Sequence, residues 1–175
     1  MDLDLGDAET MLARTPDVLT AFLTGLPDEW LHRDDGPGTW SAYAILGHLT
    51  YADATNWLPR LRLIQEHGVS RVFEPFDREA MLRDEPEPLG DLLARFRSGR
   101  GRTLTALNLA TVDLRQTGTH PEFGEVTMGN VVAAWVAHDL THLGQMAEVL
   151  ARRHRTDVGP YRKYLPALDR VAEAE

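Results

Sequence analysis

Apolar side chains recur at intervals of three and four residues along four stretches of this chain, which is the spacing of amphipathic helices. The first stretch, PDVLTAFLTGL, ends near Pro27. It follows Thr15, whose hydroxyl can cap a helix. It starts with Pro16, which suits a first helical position because no hydrogen-bond donor is needed there. We therefore predict that the first helix begins at Pro16.

The second stretch follows Ser41, another capping residue, and covers residues 42–67, with Gly68 as a C-terminal stop. Pro59 lies within this stretch and lacks the N–H group of a helical hydrogen bond, so we expect a kink or a break there. The segment 68–88 is rich in proline, aspartate and glutamate, and we predict a long loop.

Two further stretches complete the pattern. Pro88 opens a third predicted helix, LGDLLARFRSGRGRTLTALNLA, whose centre is weakened by two glycines. Thr127 can cap the last helix, which is predicted to run over residues 128–155. Residues 111–127, between these helices, are predicted to be irregular apart from a short hairpin across HPEFGE.

Four principal helices predict an all-α fold, a four-helix bundle with long connecting loops and a short C-terminal helix near residues 161–168. We expect residues 1–175 to form one domain with its core at about residues 16–155. A chain of this size buries roughly 70% of the surface that its unfolded form exposes, so it can form a core without disulfides.

The composition limits the binding partners that can be expected and the kinds of ligand and nucleophile that the chain can supply. Eighteen basic and 27 acidic residues give a formal net charge of −9, which argues against nucleic-acid binding because phosphate contacts need a basic face. The chain has no cysteine, which excludes thiolate ligands and a cysteine nucleophile of its own.

No apolar run could span a membrane, and the acidic start MDLDLGDAETM is unlike a secretion signal. We expect a cytoplasmic protein without membrane partners.

Two histidines four residues apart interrupt the apolar stripe of the last helix, in AAWVAHDLTHLGQMAEVL. At 100° per residue, His138 and His142 lie one turn apart on a face that also carries Trp135 and Gln145. Imidazoles at this spacing can offer two nitrogens to a metal ion. The alternative is an ordinary hydrogen-bonded pair in the core.

The best candidate for a third ligand is His48, in WSAYAILGHLTYADATNW, because its helical face is made mostly of small residues. If this face points across the bundle, three imidazoles form a three-nitrogen site with room for water or substrate; close helix packing is the alternative. Tyr51 and Thr55 could line the pocket beside His48. Gln145 could bond a ligand imidazole, and Trp135 shares its face. Plain packing or capping remains the alternative for these four residues.

The sequence HDLTH resembles the zinc-protease pattern HExxH, with Asp139 where the glutamate that acts as general base belongs. Aspartate is one methylene shorter, and Asp139 points about 100° away from His138 on a helical wheel. No third ligand follows closely downstream, so a metalloprotease is disfavoured. His120, in the THPEFG segment, could reach the site, but its spacing assigns it no role.

The two histidine segments, TWSAYAILGHLTYAD and WVAHDLTHLGQM, occur in this order with ninety residues from His48 to His138. Their combination resembles the DinB/YfiT-like superfamily of metal-binding four-helix bundles, and the likeness covers about residues 16–155. The resemblance implies an up-down-down-up bundle that is often a homodimer. It also implies a site in which His48, His138 and His142 hold one divalent metal, with nickel or zinc expected.

Members of this superfamily with known activity include thiol S-transferases that use low-molecular-weight thiols such as bacillithiol, and a mycothiol-dependent isomerase. Others are regarded as metal-dependent hydrolases. The resemblance therefore implies a metal-dependent thiol S-transferase or hydrolase acting on a small molecule. A thiol co-substrate would have to come from outside, because the chain has no cysteine. The alternatives are a non-catalytic metal-binding or sensor protein, and a helical interaction domain whose histidines are only structural.

Overall fold

The computed structural model describes residues 3–83, 85–108 and 111–170. The second of the four bundle helices is interrupted, and a short α-helix and a β-hairpin lie in the connections. The α-helices and strands are α1 (Leu5–Leu23), α2 (Asp28–His32), α3 (Ala42–Ala52), α4 (Leu58–His67), α5 (Leu89–Leu107), β1 (Thr117–His120), β2 (Gly124–Thr127) and α6 (Met128–Arg152). A π-helical turn, Asp53–Trp57, joins α3 to α4, and these three segments form the second bundle helix. Short 3₁₀ segments occur at Gly68–Ser70, Ala80–Arg83, Gly159–Tyr164 and Pro166–Leu168.

Two apolar clusters fill the bundle, and their members give the directions of its four helices. The first cluster combines the beginnings of α1 and α6 with the ends of the second bundle helix and of α5. The second cluster combines the four opposite ends. The topology is therefore up-down-down-up, as predicted, with α1 parallel to α6 and the second bundle helix parallel to α5.

A layer of polar side chains separates the two apolar clusters, and every bundle helix contributes to it. Its members are Thr15 of α1, His48 and Asp53 of the second bundle helix, Arg100 of α5, and His138, Asp139 and His142 of α6. Polar groups in a bundle centre need partners, because burial without hydrogen bonds is unfavourable. The candidate site and its structural support both lie in this layer.

The prediction that the first helix begins at Pro16 is wrong. The helix α1 begins at Leu5, with Asp4 as its cap, and Pro16 lies inside it. A proline within a helix removes the hydrogen bond to the carbonyl four residues earlier, here that of Leu12. This carbonyl oxygen instead accepts a hydrogen bond from Nη1 of Arg100 at 2.7 Å. A contact from another helix therefore compensates for the proline.

The predicted start and end of the second bundle helix are confirmed. Ser41 caps α3 by accepting a hydrogen bond from the N–H of Ala44, and Gly68 ends α4 with a φ of 56°. Near the position of the predicted kink or break, the α-helical hydrogen-bonding pattern changes to that of the π-helical turn, which ends just before Pro59. Pro59 then lies in the first turn of α4, where its missing donor is not needed. The described part of segment 68–88 is a loop with two 3₁₀ turns.

The helix α5 runs without interruption through Gly99 and Gly101, the two glycines expected to weaken it. It ends at Leu107, where Asn108 takes a left-handed conformation with a φ of 46°, and residues 109–110 of the predicted stretch lie outside the described residues. The predicted hairpin is present as the antiparallel pair β1 and β2.

The helix α6 begins with a capping box in which the side chains of Thr127 and Asn130 each bond the backbone N–H of the other. It ends at Arg152, three residues before the predicted end. The predicted C-terminal helix consists of two 3₁₀ turns within residues 159–168. None of the helices of the described residues combines the length and apolarity needed to cross a membrane.

The hairpin packs on the second bundle helix. The backbone N–H of Phe73 donates to the carbonyl of Thr119 at 2.9 Å, which ties the loop after α4 to β1. Gly118 lies against α4 so closely that a Cβ atom would be 2.6 Å from Cγ1 of Ile64. A glycine at this position therefore lets the hairpin reach the side of the bundle where the histidines lie.

Candidate metal centre

The three histidines predicted to act together lie at one point of the polar layer. His48 approaches from α3, and His138 and His142 approach from successive turns of α6. One ring nitrogen of each lies within 4.8 Å of the other two, so the group could hold a metal ion. The Nε2 atoms of His48 and His138 are 3.0 Å apart across the bundle. The structure thus brings these three side chains together, while their binding of a metal stays a prediction.

Two of the imidazoles are oriented by hydrogen bonds through Nδ1. The Nδ1 atom of His48 lies 3.1 Å from the backbone carbonyl oxygen of Arg78, and that of His142 lies 2.7 Å from Oε1 of Gln145. Both partners are acceptors, so Nδ1 carries the proton in each neutral ring and Nε2 keeps its lone pair. The contact expected between Gln145 and a ligand imidazole is therefore present.

The ring of His138 is held differently. Its Nδ1 atom is buried and has no hydrogen-bond partner among the described residues. Aromatic neighbours fix the ring instead: Trp57 meets it edge-on with 5.1 Å between ring centroids, and His142 does so at 4.4 Å. His48 and His142 are therefore oriented through Nδ1, whereas His138 is positioned by aromatic packing and by the 3.0 Å contact of its Nε2 atom with that of His48.

Two of the imidazoles, those of His48 and His138, are kept neutral near neutral pH, as metal ligands must be. The pKa of His48 is lowered to about 4 and that of His138 to about 2, mainly by burial and in part by the charge of neighbouring histidines. Two nitrogens bound to one ion at about 2.0–2.1 Å are roughly 3 Å apart, which matches the Nε2 separation of His48 and His138. An all-imidazole set suits zinc, nickel, copper and similar divalent ions.

Acid is expected to destabilise the metal-free protein. An unfolded histidine titrates near 6.5, and His48 folded has a pKa of about 4, so below pH ~6.5 the unfolded state binds more protons. The free energy of unfolding is therefore at its full value above pH ~6.5 and decreases as the pH falls towards the pKa of folded His48. The expected decrease from His48 alone is about 2 kcal/mol at pH ~5. Thermal unfolding of chelator-treated protein across this range measures the loss. A variant with His48→Gln and His138→Gln is the control, and an equal pH slope in both proteins would contradict the prediction.

The histidines form part of the wall of a cavity of about 1040 Å³. The remaining wall has an aromatic part and a polar part. The aromatic side chains are Trp40, Trp57, Phe73, Phe76 and Phe123, and the main polar ones are Asn56, Arg60, Arg78, His120, Glu122, Asn130, Gln145, Glu148 and Arg170. A cavity of this size accommodates a small organic molecule. His120, whose spacing gave no role, is one of its lining residues.

Three of the predicted pocket residues do not line the cavity. Tyr51 packs on Phe76, and Thr55 is exposed, with its hydroxyl donating to the carbonyl oxygen of Tyr51 at 2.8 Å. The π-helical turn explains why Thr55 lies off the cavity wall. A π-helical turn contains one more residue than an α-helical turn, so each residue after it is shifted by one position around the helix. Asn56 consequently lies on the cavity wall where a regular helix would place Thr55.

Trp135, the third of these residues, is completely buried behind the histidines. Its indole Nε1–H donates to Oδ1 of Asp53 at 3.2 Å, and its ring stacks on Trp57 with 6.2 Å between centroids. Its role is therefore structural, because it supports the side chains that form the cavity wall.

A buried ionic network was missed by sequence analysis. Arg100 is 1% exposed, and its Nε atom donates to both carboxylate oxygens of Asp53, at 3.0 and 2.9 Å. Its Nη1 and Nη2 atoms donate to the carboxylate of Asp139 at 2.7 and 3.1 Å. Burial raises the pKa of Asp53, although the hydrogen bonds from Arg100 oppose this shift. No spacing in the sequence pairs residues that come from three different helices.

The network reaches the first helix as well. The hydroxyl of Thr15 donates to Oδ2 of Asp139 at 2.7 Å, and the carbonyl of Leu12 accepts from Arg100. All four bundle helices are therefore joined directly behind the histidines. Asp139, in the position of the protease glutamate, faces this network rather than the imidazoles, which agrees with the argument against a metalloprotease.

The comparisons with known proteins agree with this architecture. Comparison with curated protein sequences finds no match. Among solved structures, the chain is similar to YfiT from Bacillus subtilis, with a TM-score of 0.73 and 22% sequence identity over 86% of this chain and 87% of that one. YfiT is described as a probable metal-dependent hydrolase with an unusual four-helix bundle topology, and at this identity the likeness shows a shared fold. The family model of the DinB superfamily matches residues 11–146. The chain therefore belongs to the DinB superfamily.

Proposed function

We propose that this protein is a metal-dependent enzyme that acts on a small molecule, as a hydrolase or a thiol S-transferase. In this proposal His48, His138 and His142 hold one divalent metal, nickel or zinc. The observation that carries the proposal is the meeting of three imidazoles, within 4.8 Å of one another, on the wall of a cavity of about 1040 Å³. The description of YfiT as a probable metal-dependent hydrolase supports the hydrolytic form.

A divalent cation held by these nitrogens would supply Lewis-acid chemistry, of the kind that makes a water or a thiol nucleophilic near neutral pH. The side chains of the protein orient and enclose the reaction. Hydrogen bonds through Nδ1 direct the Nε2 lone pairs of His48 and His142, and the aromatic wall binds the apolar part of a substrate and excludes water. A thiol nucleophile would be an external low-molecular-weight thiol, because the chain contains no cysteine.

The number of ligands favours an enzyme over a closed metal site. Structural zinc sites have four protein ligands, whereas catalytic sites have three and keep a position for water or substrate. Within the described residues, the group that could hold a metal consists of three histidines and includes no carboxylate. The large cavity beside it supplies the space that a substrate needs.

Elemental analysis of untagged protein by plasma mass spectrometry tests the site. We expect about one divalent metal per chain in the wild type and little in His48→Ala, because removing one of three ligands weakens binding severely. His32→Ala is the matched control, since His32 lies in α2 outside the cavity wall, and it should keep the metal. Equal metal content in wild type and His48→Ala, or none in the wild type after zinc or nickel is added, would refute the proposal.

Activity screens on the metal-loaded protein then separate the two reactions. Ester and amide substrates test hydrolysis, and electrophiles supplied with a low-molecular-weight thiol test transfer. Either activity should disappear in His48→Ala and persist in His32→Ala. A metal-loaded protein that is inactive in both screens would favour the alternative, a metal-binding or sensor protein without catalysis.

A further inference from the structure

An arginine on the cavity wall has no acidic partner among the described residues. Arg60, in the first turns of α4, is half-buried, and its guanidinium carbon lies 5.3 Å from the ring centroid of Phe73. Its hydrogen bond is a long one, 3.5 Å from Nη2 to the carbonyl oxygen of Glu74. Burial lowers the pKa of Arg60, yet a guanidinium stays charged in proteins. The cavity therefore contains a partly dehydrated positive charge with spare hydrogen-bond donors.

A second donor lies beside this arginine. The Nδ1 atom of His120 accepts hydrogen bonds from the backbone N–H groups of Glu122 and Phe123, at 3.2 and 3.3 Å. The proton of the neutral ring must then be on Nε2, which makes this atom a donor. The rings of His120 and Phe73 meet edge-on with 6.0 Å between centroids. Arg60 and His120 thus both contact Phe73 on one part of the wall.

The charge of the cavity wall differs in sign from that of the whole chain. The protein has a net charge of −9, but its described cavity wall includes three arginines and two glutamates. Arg170 pairs with Glu148 at 2.9 Å, which leaves Arg60 and Arg78 against the single carboxylate of Glu122. A local positive charge in a low-dielectric cleft attracts anionic ligands.

We propose that Arg60 and His120 form an anion-binding subsite, and that the substrate is a small organic acid whose carboxylate is bound there. Arginine suits this group because its planar donors match the two oxygens of a carboxylate. The apolar part of the acid lies against Phe73 and Trp57, and Trp57 also contacts the ring of His138. The reactive group of the acid would then face the histidines, a part of the inference that rests on the proposed function.

A matched pair of probes tests the subsite, hydrocinnamate and its uncharged amide, hydrocinnamamide. Binding to the full chain is measured by calorimetry at neutral pH after chelator treatment, so that a carboxylate cannot gain affinity from a metal. We expect the wild type to bind the acid about tenfold more tightly than the amide, because charge-assisted hydrogen bonds to arginine exceed neutral ones. Arg60→Met should abolish this preference.

Arg62→Met is the control for overall charge, because Arg62 is an exposed residue of the same helix and does not line the cavity. It should keep the preference for the acid. The proposal is overturned if the wild type binds acid and amide equally, if the acid shows no saturable binding, or if Arg60→Met keeps the preference. Loss of the preference in Arg62→Met would also overturn it, since overall charge would then explain the result.

The same experiment separates this inference from the metal site. Metal content is measured on the same wild-type preparation before the chelator is added. A wild type that binds metal but shows no preference refutes the anion subsite alone. A wild type that shows the preference but binds no metal refutes the proposed metal-dependent function alone.

Discussion

Replacing Arg100 with methionine is expected to lower the free energy of unfolding by about 3–5 kcal/mol. The guanidinium of Arg100 is the counter-charge of two carboxylates, those of Asp53 and Asp139, and all three side chains are buried. Methionine fills much of the same volume, so the main loss is electrostatic rather than a cavity. Two buried carboxylates would then face each other without a cation, and one of them would have to take up a proton. Urea unfolding monitored by circular dichroism measures the change.

The matched control for this prediction is Arg97→Met on the same helix. Arg97 is exposed and pairs with Asp17 at the surface, where an ion pair contributes at most about 1 kcal/mol. A loss in Arg100→Met no larger than that in Arg97→Met would show that the buried network contributes little to stability. It would also mean that the two carboxylates find other partners in the variant.

Asp139→Asn is expected to lower the free energy of unfolding by about 2–3 kcal/mol and to leave the metal content at about one ion per chain. The carboxylate oxygens of Asp139 accept hydrogen bonds from Arg100 and from Thr15. An asparagine amide replaces one acceptor with an NH₂ group that faces a guanidinium, so at least one hydrogen bond to a charged group is lost. The metal should remain because Asp139 does not belong to the histidine group.

Both quantities can be measured on the same purified sample, by urea unfolding and by elemental analysis. Asp17→Asn provides the surface control, since its carboxylate is exposed. Loss of the metal from a folded Asp139→Asn protein would contradict the prediction and would give Asp139 a direct role in the site. Unchanged stability would show that the amide adapts to the network without loss.

The features that sequence analysis predicted well depend on short-range chemistry. The caps at Ser41 and Thr127 involve residues three positions apart, and the hairpin follows from a few adjacent residues. The spacing of His138 and His142 fixes their common face within one helix. The meeting with His48 is a longer-range feature, which the small face of α3 and the family resemblance together made predictable.

The features that sequence analysis missed depend on contacts between distant residues. Arg100 bonds to partners 39 and 47 positions away, and Thr15 and Asp139 are 124 positions apart. Local sequence favours a helix start at Pro16, and the arginine that supplies a donor to the Leu12 oxygen instead comes from a distant helix. The π-helical turn is likewise absent from the predicted pattern, and it places Asn56 on the wall in place of Thr55.

The proline inside α1 has a consequence for how such a bundle can change during evolution. Because Pro16 has no N–H, the carbonyl oxygen of Leu12 has no donor within its own helix. The Nη1 atom of Arg100 donates both to this oxygen and to the carboxylate of Asp139, and these two hydrogen bonds hold it in place. Any other residue at position 16 would bring an amide hydrogen to the same oxygen, which would then share its two lone pairs between that donor and Arg100. The effects of substitutions at positions 16 and 100 are therefore expected to be non-additive, although Arg100 is still needed by the carboxylates of Asp53 and Asp139 whatever residue stands at position 16.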